Sequence, residues 1–231
     1  MTNSGYEARE EALADIYNAP KSITIIGDVH GCYKTLMALI EQLPANEPLC
    51  FVGDLIDRGP QSADVVEFVK SNNHYCVLGN HEEMMINAEP YWDYNGGGAT
   101  TRSYNGDTDL YHQHLEWMQS LPAYLEFHDL NVTTDRERHL VVSHSSIARY
   151  WQTRDTSTED ILWNRDVTHG TLPSSNSFFN VFGHSIMKKP LITSAYADID
   201  TGCVYNQHGY STLTALQFPS MKVYTQPNIE D

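Results

Sequence analysis

The sequence predicts an α/β fold in which two facing mixed β-sheets form a β-sandwich flanked by helices. Three observations carry that expectation. Short apolar runs at 22–26, 49–52 and 74–78 alternate with helix-period segments, which marks βαβ units, a parallel sheet and right-handed crossovers. Alternating runs at 192–199, 203–205, 210–218 and 221–225 suit antiparallel strands of a second sheet. The chain has 231 residues, 41% of them hydrophobic, with no tandem repeat or linker, so residues 1–231 are read as one domain around one core.

Taken in order, residues 1–20 read as a surface segment. Within it 7–17 suits a helix with Leu13 and Ile16 on a weak apolar face, stopped by Pro20. The strand at 22–26 leads into Gly27-Asp28-Val29-His30-Gly31. Over 32–43, Cys32, Leu36, Leu39, Ile40 and Leu43 recur at helical spacing, and Pro44 ends the helix. The strand at 49–52 leads into Gly53-Asp54-Leu55-Ile56-Asp57-Arg58-Gly59. Ser62 is placed to cap a helix carrying Val65, Val66 and Val69, ended by Ser71-Asn72-Asn73. The strand at 74–78 leads into Gly79-Asn80-His81-Glu82, and 81–88 begins another helix.

In the middle, Asn95-Gly96-Gly97-Gly98 reads as a turn or a ligand-facing loop where backbones approach closely. Residues 108–120 suit a helix closed before Pro122, and 124–127 and 131–134 suit short strands. Asp135-Arg136-Glu137-Arg138 reads as a solvated turn. Two further apolar runs end in histidine, at His144 and at Gly183-His184, separated by irregular chain with a short helix at 159–163.

A formal charge of −16 argues against a nucleic-acid binder, whose affinity rests on Lys and Arg neutralising phosphates. It leaves room for a phosphorylated substrate, because bound divalent cations reverse the local sign. The four cysteines form no C-x-x-C pair and read as buried free thiols of a reducing compartment. Residues 1–20 lack the apolar stretch of a secretory signal, and no run approaches the length of a membrane span. The expectation is a cytoplasmic protein without nucleic-acid or membrane partners. Its oligomeric state is not set by these features.

The chemistry sits where three strands end. Asp28 and His30 are two residues apart, so in extended chain both side chains share a face and reach one ion. Alone, Asp-x-His is more often a turn with a capping Asp. Asp54, from the next strand end, has two oxygens and can bridge two ions ~3.5–4 Å apart. Asp57 is placed to fix a neighbouring histidine, and Arg58 to clamp a phosphoryl group with its planar fork. Alone, Asp57-Arg58-Gly59-Pro60 would be a surface turn. Asn80 and His81 are adjacent and cannot easily serve one ion, so Asn80 is assigned to metal and His81 to general acid catalysis, its pKa supported by a carboxylate such as Asp57. His144 and His184 would complete a second ion's set of His, His, Asn and bridging Asp. Nitrogen and oxygen donors without thiolate suit two ions of Mn, with Fe or Zn next, better than Ca or Mg.

In this order, G-D-x-H-G, G-D-x-x-D-R-G and G-N-H-E resemble the phosphoprotein phosphatase branch of the calcineurin-like metallophosphoesterases, notably the bacteriophage lambda-type and bacterial serine/threonine protein phosphatases. The resemblance spans roughly residues 22 to 217 and includes Leu162-Trp163-Asn164-Arg165, Phe182-Gly183-His184 and Ile199-Asp200-Thr201-Gly202-Cys203. It implies that Asp28, His30 and Asp54 bind one ion and that Asp54, Asn80, His144 and His184 bind the other. It also implies that His81 protonates the leaving oxygen with support from Asp57, and that Arg58 and Arg165 hold phosphate. The implied reaction is hydrolysis of phosphoserine or phosphothreonine, with phosphotyrosine also open, by direct attack of a metal-bridging hydroxide.

One position departs from that pattern. Lambda-type phosphatases carry Arg just before Gly-Asn-His-Glu, where this chain has Leu78. Leu-Gly-Asn-His also occurs in symmetrical diadenosine tetraphosphatases of the same superfamily, so a dinucleoside polyphosphatase or related nucleotide pyrophosphohydrolase is the alternative. Arg102 is the candidate to replace the missing guanidinium. A catalytically inactive scaffold ranks lower, because every expected ligand and His81 are present. The partner is a phosphorylated protein or a small phosphorylated molecule.

Overall fold

Ile23-Thr24-Ile25-Ile26 is β-branched throughout and forms β1 (Ile23–Ile26), buried along its whole length. This strand anchors a computed structural model that describes residues 21–132, 135–151, 158–170, 177–206 and 209–230. The helix expected over 7–17 lies outside the described residues. β2 (Leu49–Phe51) runs parallel to β1, and β3 (Tyr75–Cys76) parallel to β2. The crossovers are α1 (Tyr33–Ile40) and α2 (Ser62–Ser71), as the alternation predicts.

The last two strands correct the sequence reading. β9 (Thr212–Phe218) pairs antiparallel with β1, Ile23 opposite Phe218, and β10 (Lys222–Pro227) pairs with β9. They complete the first sheet, in the order β10-β9-β1-β2-β3, and not the second. Residues 203–205 form a turn instead of a strand. β4 (Tyr124–Val132) and β5 (Asp135–Ser143) make a long antiparallel pair, so Asp135–Arg138 is strand and not a turn. Beside β5 lie β6 (Phe178–Phe182), β8 (Tyr196–Asp198) and β7 (Leu191–Ile192). β5, β6 and β8 are mutually parallel, which gives the second sheet the mixed character expected of both.

Period-two alternation distributes the strand side chains over two layers. Ile23, Ile25, Cys50, Val52 and Phe218 face inward and meet Leu140, Val142, Phe179 and Val181 of the other sheet. Ile26 and Phe51 point the opposite way, against Leu36 and Leu39 of α1 and Val65 and Val69 of α2. Each fully buried side chain of this size contributes about 1.5–3 kcal/mol. The four cysteines are buried and unpaired. No helix among the described residues is long and apolar enough to cross a membrane.

The middle of the chain is more helical than expected. α3 (Asn80–Ile86) is followed by a 3-10 turn at Asp93–Asn95, α4 (Gly97–Ser103) and α5 (Thr108–Gln119). The glycine run is therefore not all loop: Gly96 takes φ 108°, and Gly97 and Gly98 open α4. Close approach is real at Gly97, where a Cβ would meet the Trp92 ring at 2.5 Å. α6 (Thr158–Trp163) matches the short helix expected near 159–163.

Candidate active site

Five segments converge from the carboxyl ends of parallel strands in both sheets, the edge where α/β folds present their ligands. β1 leads to Asp28 and His30, β2 to Asp54, Asp57 and Arg58, and β3 to Asn80 and His81. β5 ends beside His144, and β6 beside His184. His30, Asp54, Asp57, Arg58 and His184 all adopt positive φ, between 47° and 74°. Non-glycine residues avoid this region unless their surroundings over-determine it, and such strain collects at functional sites. Gly183 permits one of the closest approaches, since a Cβ there would collide with the Asp28 carboxylate.

Asp54 is the centre of the cluster. Its Oδ2 lies 3.4 Å from His30 Nε2 and its Oδ1 3.4 Å from His144 Nε2. Burial would raise its pKa, but His144, His81 and His30 outweigh burial and hold it well below the usual carboxylate range. Asp28 goes the other way, pushed well up by burial and by the charges of Asp200 and Asp54. His30, His144 and His184 are held below the usual imidazole range, mainly by burial.

The tautomers follow from the second ring nitrogen. Nδ1 of His30 donates to Ile56 O at 2.7 Å and Nδ1 of His144 donates to Val52 O at 2.8 Å. Each Nε2 then carries the ring's lone pair, which in His144 faces the cluster and in His30 accepts from Arg58. His144 Nε2 sits 2.8 Å from Asn80 Oδ1, which is also 3.0 Å from His184 Nδ1. The His144 Nε2 and Asn80 Oδ1 lone pairs facing each other at 2.8 Å are relieved by a cation between them, and the buried His184 Nε2 has no partner of its own. The 3.4 Å spacings around Asp54 match the separation of two donors on one ion with bonds of about 2.0–2.2 Å. The donor set thus fits divalent ions, with Asp28, His30, Asp54, Asn80, His144 and His184 able to hold them.

His81 and Asp57 form a separate pair. His81 Nδ1 meets Asp57 Oδ2 at 2.6 Å, which leaves Nε2 directed at the cluster, 4.0 Å from Asp54 Oδ2. Asp57 is itself clamped by Trp92 Nε1 at 2.8 Å and Thr100 Oγ1 at 2.6 Å. Neither residue was singled out from sequence, and no local motif marks them. Ser62 corrects another expectation. It is the first residue of α2, not its cap, and its Oγ accepts from Asp57 N at 3.1 Å.

Glu82 ties the second loop to the third. Its two oxygens accept from Asp54 N, Leu55 N, Ile56 N and Gly79 N, at 2.8–3.3 Å. Burial and the Asp54 charge push its pKa up to about 8, against the pull of those backbone donors. Replacing Glu82 by Ala would strand all four donors in a dry interior. We expect Glu82→Ala to lower the stability of the metal-free protein by about 3–5 kcal/mol, and Glu82→Gln by clearly less. Urea unfolding reads both, and a loss below about 1 kcal/mol for Glu82→Ala would show that the four backbone donors do not depend on this carboxylate.

The cavity over the cluster holds about 70 Å³ and is lined by Arg58, Arg165, Trp163, Asn95, Ile186, Asp200 and Tyr205 besides the donors. Arg58 donates to His30 Nε2 and lies over the Tyr205 ring, 5.4 Å from its centre. Arg165 donates to His184 O at 3.1 Å. Asp200 was missed as a site residue although it repeats the signal of the others, a carboxylate just after a strand. Burial raises its pKa to about 6. Arg102 sits exposed on α4 and is not among the residues that line the cavity. Leu78 is likewise off the cavity, with its N–H bonded to Pro122 O at 2.8 Å.

Comparison with known proteins identifies the family. The family model described as calcineurin-like phosphoesterase matches residues 21–207. The bis(5′-nucleosyl)-tetraphosphatase PrpE [asymmetrical] of Halalkalibacterium halodurans is 31% identical, over 88% of this chain and 93% of its own. Serine/threonine-protein phosphatase 1 of Salmonella typhimurium is 28% identical, over 85% and 93%. A solved protein serine/threonine phosphatase from Saccharomyces cerevisiae shares the fold with a TM-score of 0.62, at 15% identity, over 94% of this chain and 83% of its own. With three loops, two distal histidines and a family match across most of its length, the chain belongs to the calcineurin-like phosphoesterases and is a metallophosphoesterase.

Proposed function

We propose that this enzyme hydrolyses dinucleoside polyphosphates, of the bis(5′-nucleosyl)-tetraphosphate class, at the cavity above Asp54. The observation that carries the reading is Leu78. It stands where lambda-type protein phosphatases have a phosphate-binding Arg, and neither it nor Arg102 lines the cavity. Two guanidiniums, Arg58 and Arg165, are left to grip the substrate. An isolated phosphomonoester would rely on them alone, whereas a polyphosphate offers further charged groups and a base. Trp163 and Tyr205 at the cavity supply aromatic faces for that base. The PrpE similarity points the same way.

Asp28, His30 and Asp54 would hold one divalent ion, and Asp54, Asn80, His144 and His184 the other, with manganese as the first candidate. Such ions lower the pKa of water and neutralise charge that develops on the phosphoryl group. Arg58 and Arg165 bind and orient that phosphoryl group. His81 gives a proton from Nε2 to the leaving oxygen, and Asp57 holds the ring by Nδ1.

The test is a paired assay with Mn²⁺ present. The value of kcat/KM for diadenosine tetraphosphate should exceed that for a phosphoserine peptide by at least about tenfold, a difference of roughly 1.4 kcal/mol in transition-state binding. The reverse order would restore the second reading, a serine/threonine protein phosphatase, which the Salmonella relative favours. Product analysis then separates two ADP from ATP plus AMP.

A further inference from the structure

A second donor cluster lies on the β4–β5 pair, and it shares no residue with the cavity described above. The register runs Phe127 opposite Leu140 and then jumps to Asn131 opposite His139, so the chain bulges at 128–130. A bulge re-aims side chains. Here it places the His128 ring against that of His139, with centroids 4.4 Å apart and planes tilted by 38°. Both rings bring Nε2 to the same atom, Glu126 Oε2: His139 at 3.2 Å and His128 at 3.5 Å. The donor atoms of all three residues fall within 4.8 Å of one another.

His139 is within hydrogen-bond reach of Glu126, at 3.2 Å, but His128 at 3.5 Å is not, and both spacings suit a shared metal. An imidazole N–H···O bond is seldom longer than ~3.2 Å. Two donors on one tetrahedral ion, with bonds of about 2.0–2.1 Å, stand about 3.3 Å apart. The observed 3.2 and 3.5 Å straddle that value. Two imidazoles and one carboxylate are also a donor set for zinc, with the fourth place left to water. Exposure agrees with that arrangement. His128 has 70% of its side chain open to solvent, whereas Glu126 and His139 keep only 19% and 14%. Two donors are held in the sheet and the third closes from outside.

We propose that Glu126, His128 and His139 form a separate site for a borderline divalent ion, zinc above all, which cross-links β4 and β5 across the bulge. The site does not depend on which phosphate ester the enzyme hydrolyses.

The experiment uses the full chain, stripped with chelator, dialysed against Zn²⁺ and desalted before metal analysis. The doubly substituted His128→Ala, His139→Ala protein should retain about one zinc ion per chain fewer than the unsubstituted protein. A His128→Gln, His139→Gln protein, which keeps size and polarity, should show the same deficit with unchanged circular dichroism and unchanged phosphoesterase kcat. It stands in if the alanine version misfolds. Asp54→Asn, which disables the cavity's donors, should still hold the extra ion. If the glutamine protein keeps the full zinc content, the three side chains hold no ion and the proposal is overturned.

Discussion

His81→Asn should lower kcat for an alkyl phosphate by about 10²–10⁴-fold, and for a nucleotide anhydride by clearly less, while leaving the metal content unchanged. Asparagine cannot carry an exchangeable acidic proton, but its amide can still meet the Asp57 carboxylate. The ring it replaces touches Asp57 at 2.6 Å and stands 4.0 Å from Asp54, too far to be the nearest donor to an ion beside that carboxylate. His30 and His144 approach Asp54 more closely, at 3.4 Å each. The discriminating readout is therefore metal analysis alongside steady-state kinetics. Loss of an ion together with kcat would make His81 a ligand and remove its assignment as acid. The defect should also depend on the leaving group. A substrate with an acidic leaving group needs little protonation, so the variant should lose much less activity on an aryl phosphate than on an alkyl phosphate. Equal losses would argue that the imidazole acts on the ground state.

How far this site could be read from sequence depends on the range of the information. The βαβ alternation is local: Ile23–Ile26, Leu49–Phe51 and the helices between them declare themselves within ten residues, and all lie where expected. Sheet membership is not local. Thr212–Phe218 alternates equally well for either sheet, and only its packing of Phe218 against Ile23, almost two hundred residues away, decides. Asp135–Arg138 misled for a related reason. A run of charged residues in a strand looks like a turn until the long pairing with β4 is known.

The clustering of these residues was legible because the pattern repeats: Asp, His or Asn stands directly after strand upon strand, at 28, 30, 54, 80, 144 and 184. Their supports were not legible, because backbone donors and buried carboxylates can be satisfied by many side chains. Trp92, Thr100 and Glu82 are read only from contacts such as Thr100 Oγ1 to Asp57 Oδ1 at 2.6 Å. Arg102 shows the converse. Its place next to the glycine run suggested phosphate binding, but the run opens α4 and turns Arg102 to solvent.

Asp54→Asn should reduce kcat/KM by a factor on the order of 10³ or more and abolish stabilisation by divalent ions. The argument is one of sign. Without ions, Asp54 is a buried negative charge whose field raises Asp28, Asp200 and Glu82. Converting it to a neutral amide removes that repulsion and keeps an oxygen to accept from His81 N, now 3.0 Å away. It also removes the attraction of the histidines, which holds the Asp54 pKa below its unfolded value and makes the ionised form net stabilising. In chelator, above the unfolded carboxylate pKa, the variant should therefore unfold somewhat below the parent. With Mn²⁺ added, the parent should gain stability as RT ln(1 + [Mn²⁺]/Kd) while the variant gains little. The gap between the two melting temperatures should thus widen as metal is titrated in. A simple packing defect, or a carboxylate unconnected with metal, would leave the gap constant. Widening requires that Asp54 be indispensable when the cluster is filled, over and above what it contributes when the cluster is empty, which is the behaviour of a carboxylate that serves as a metal ligand.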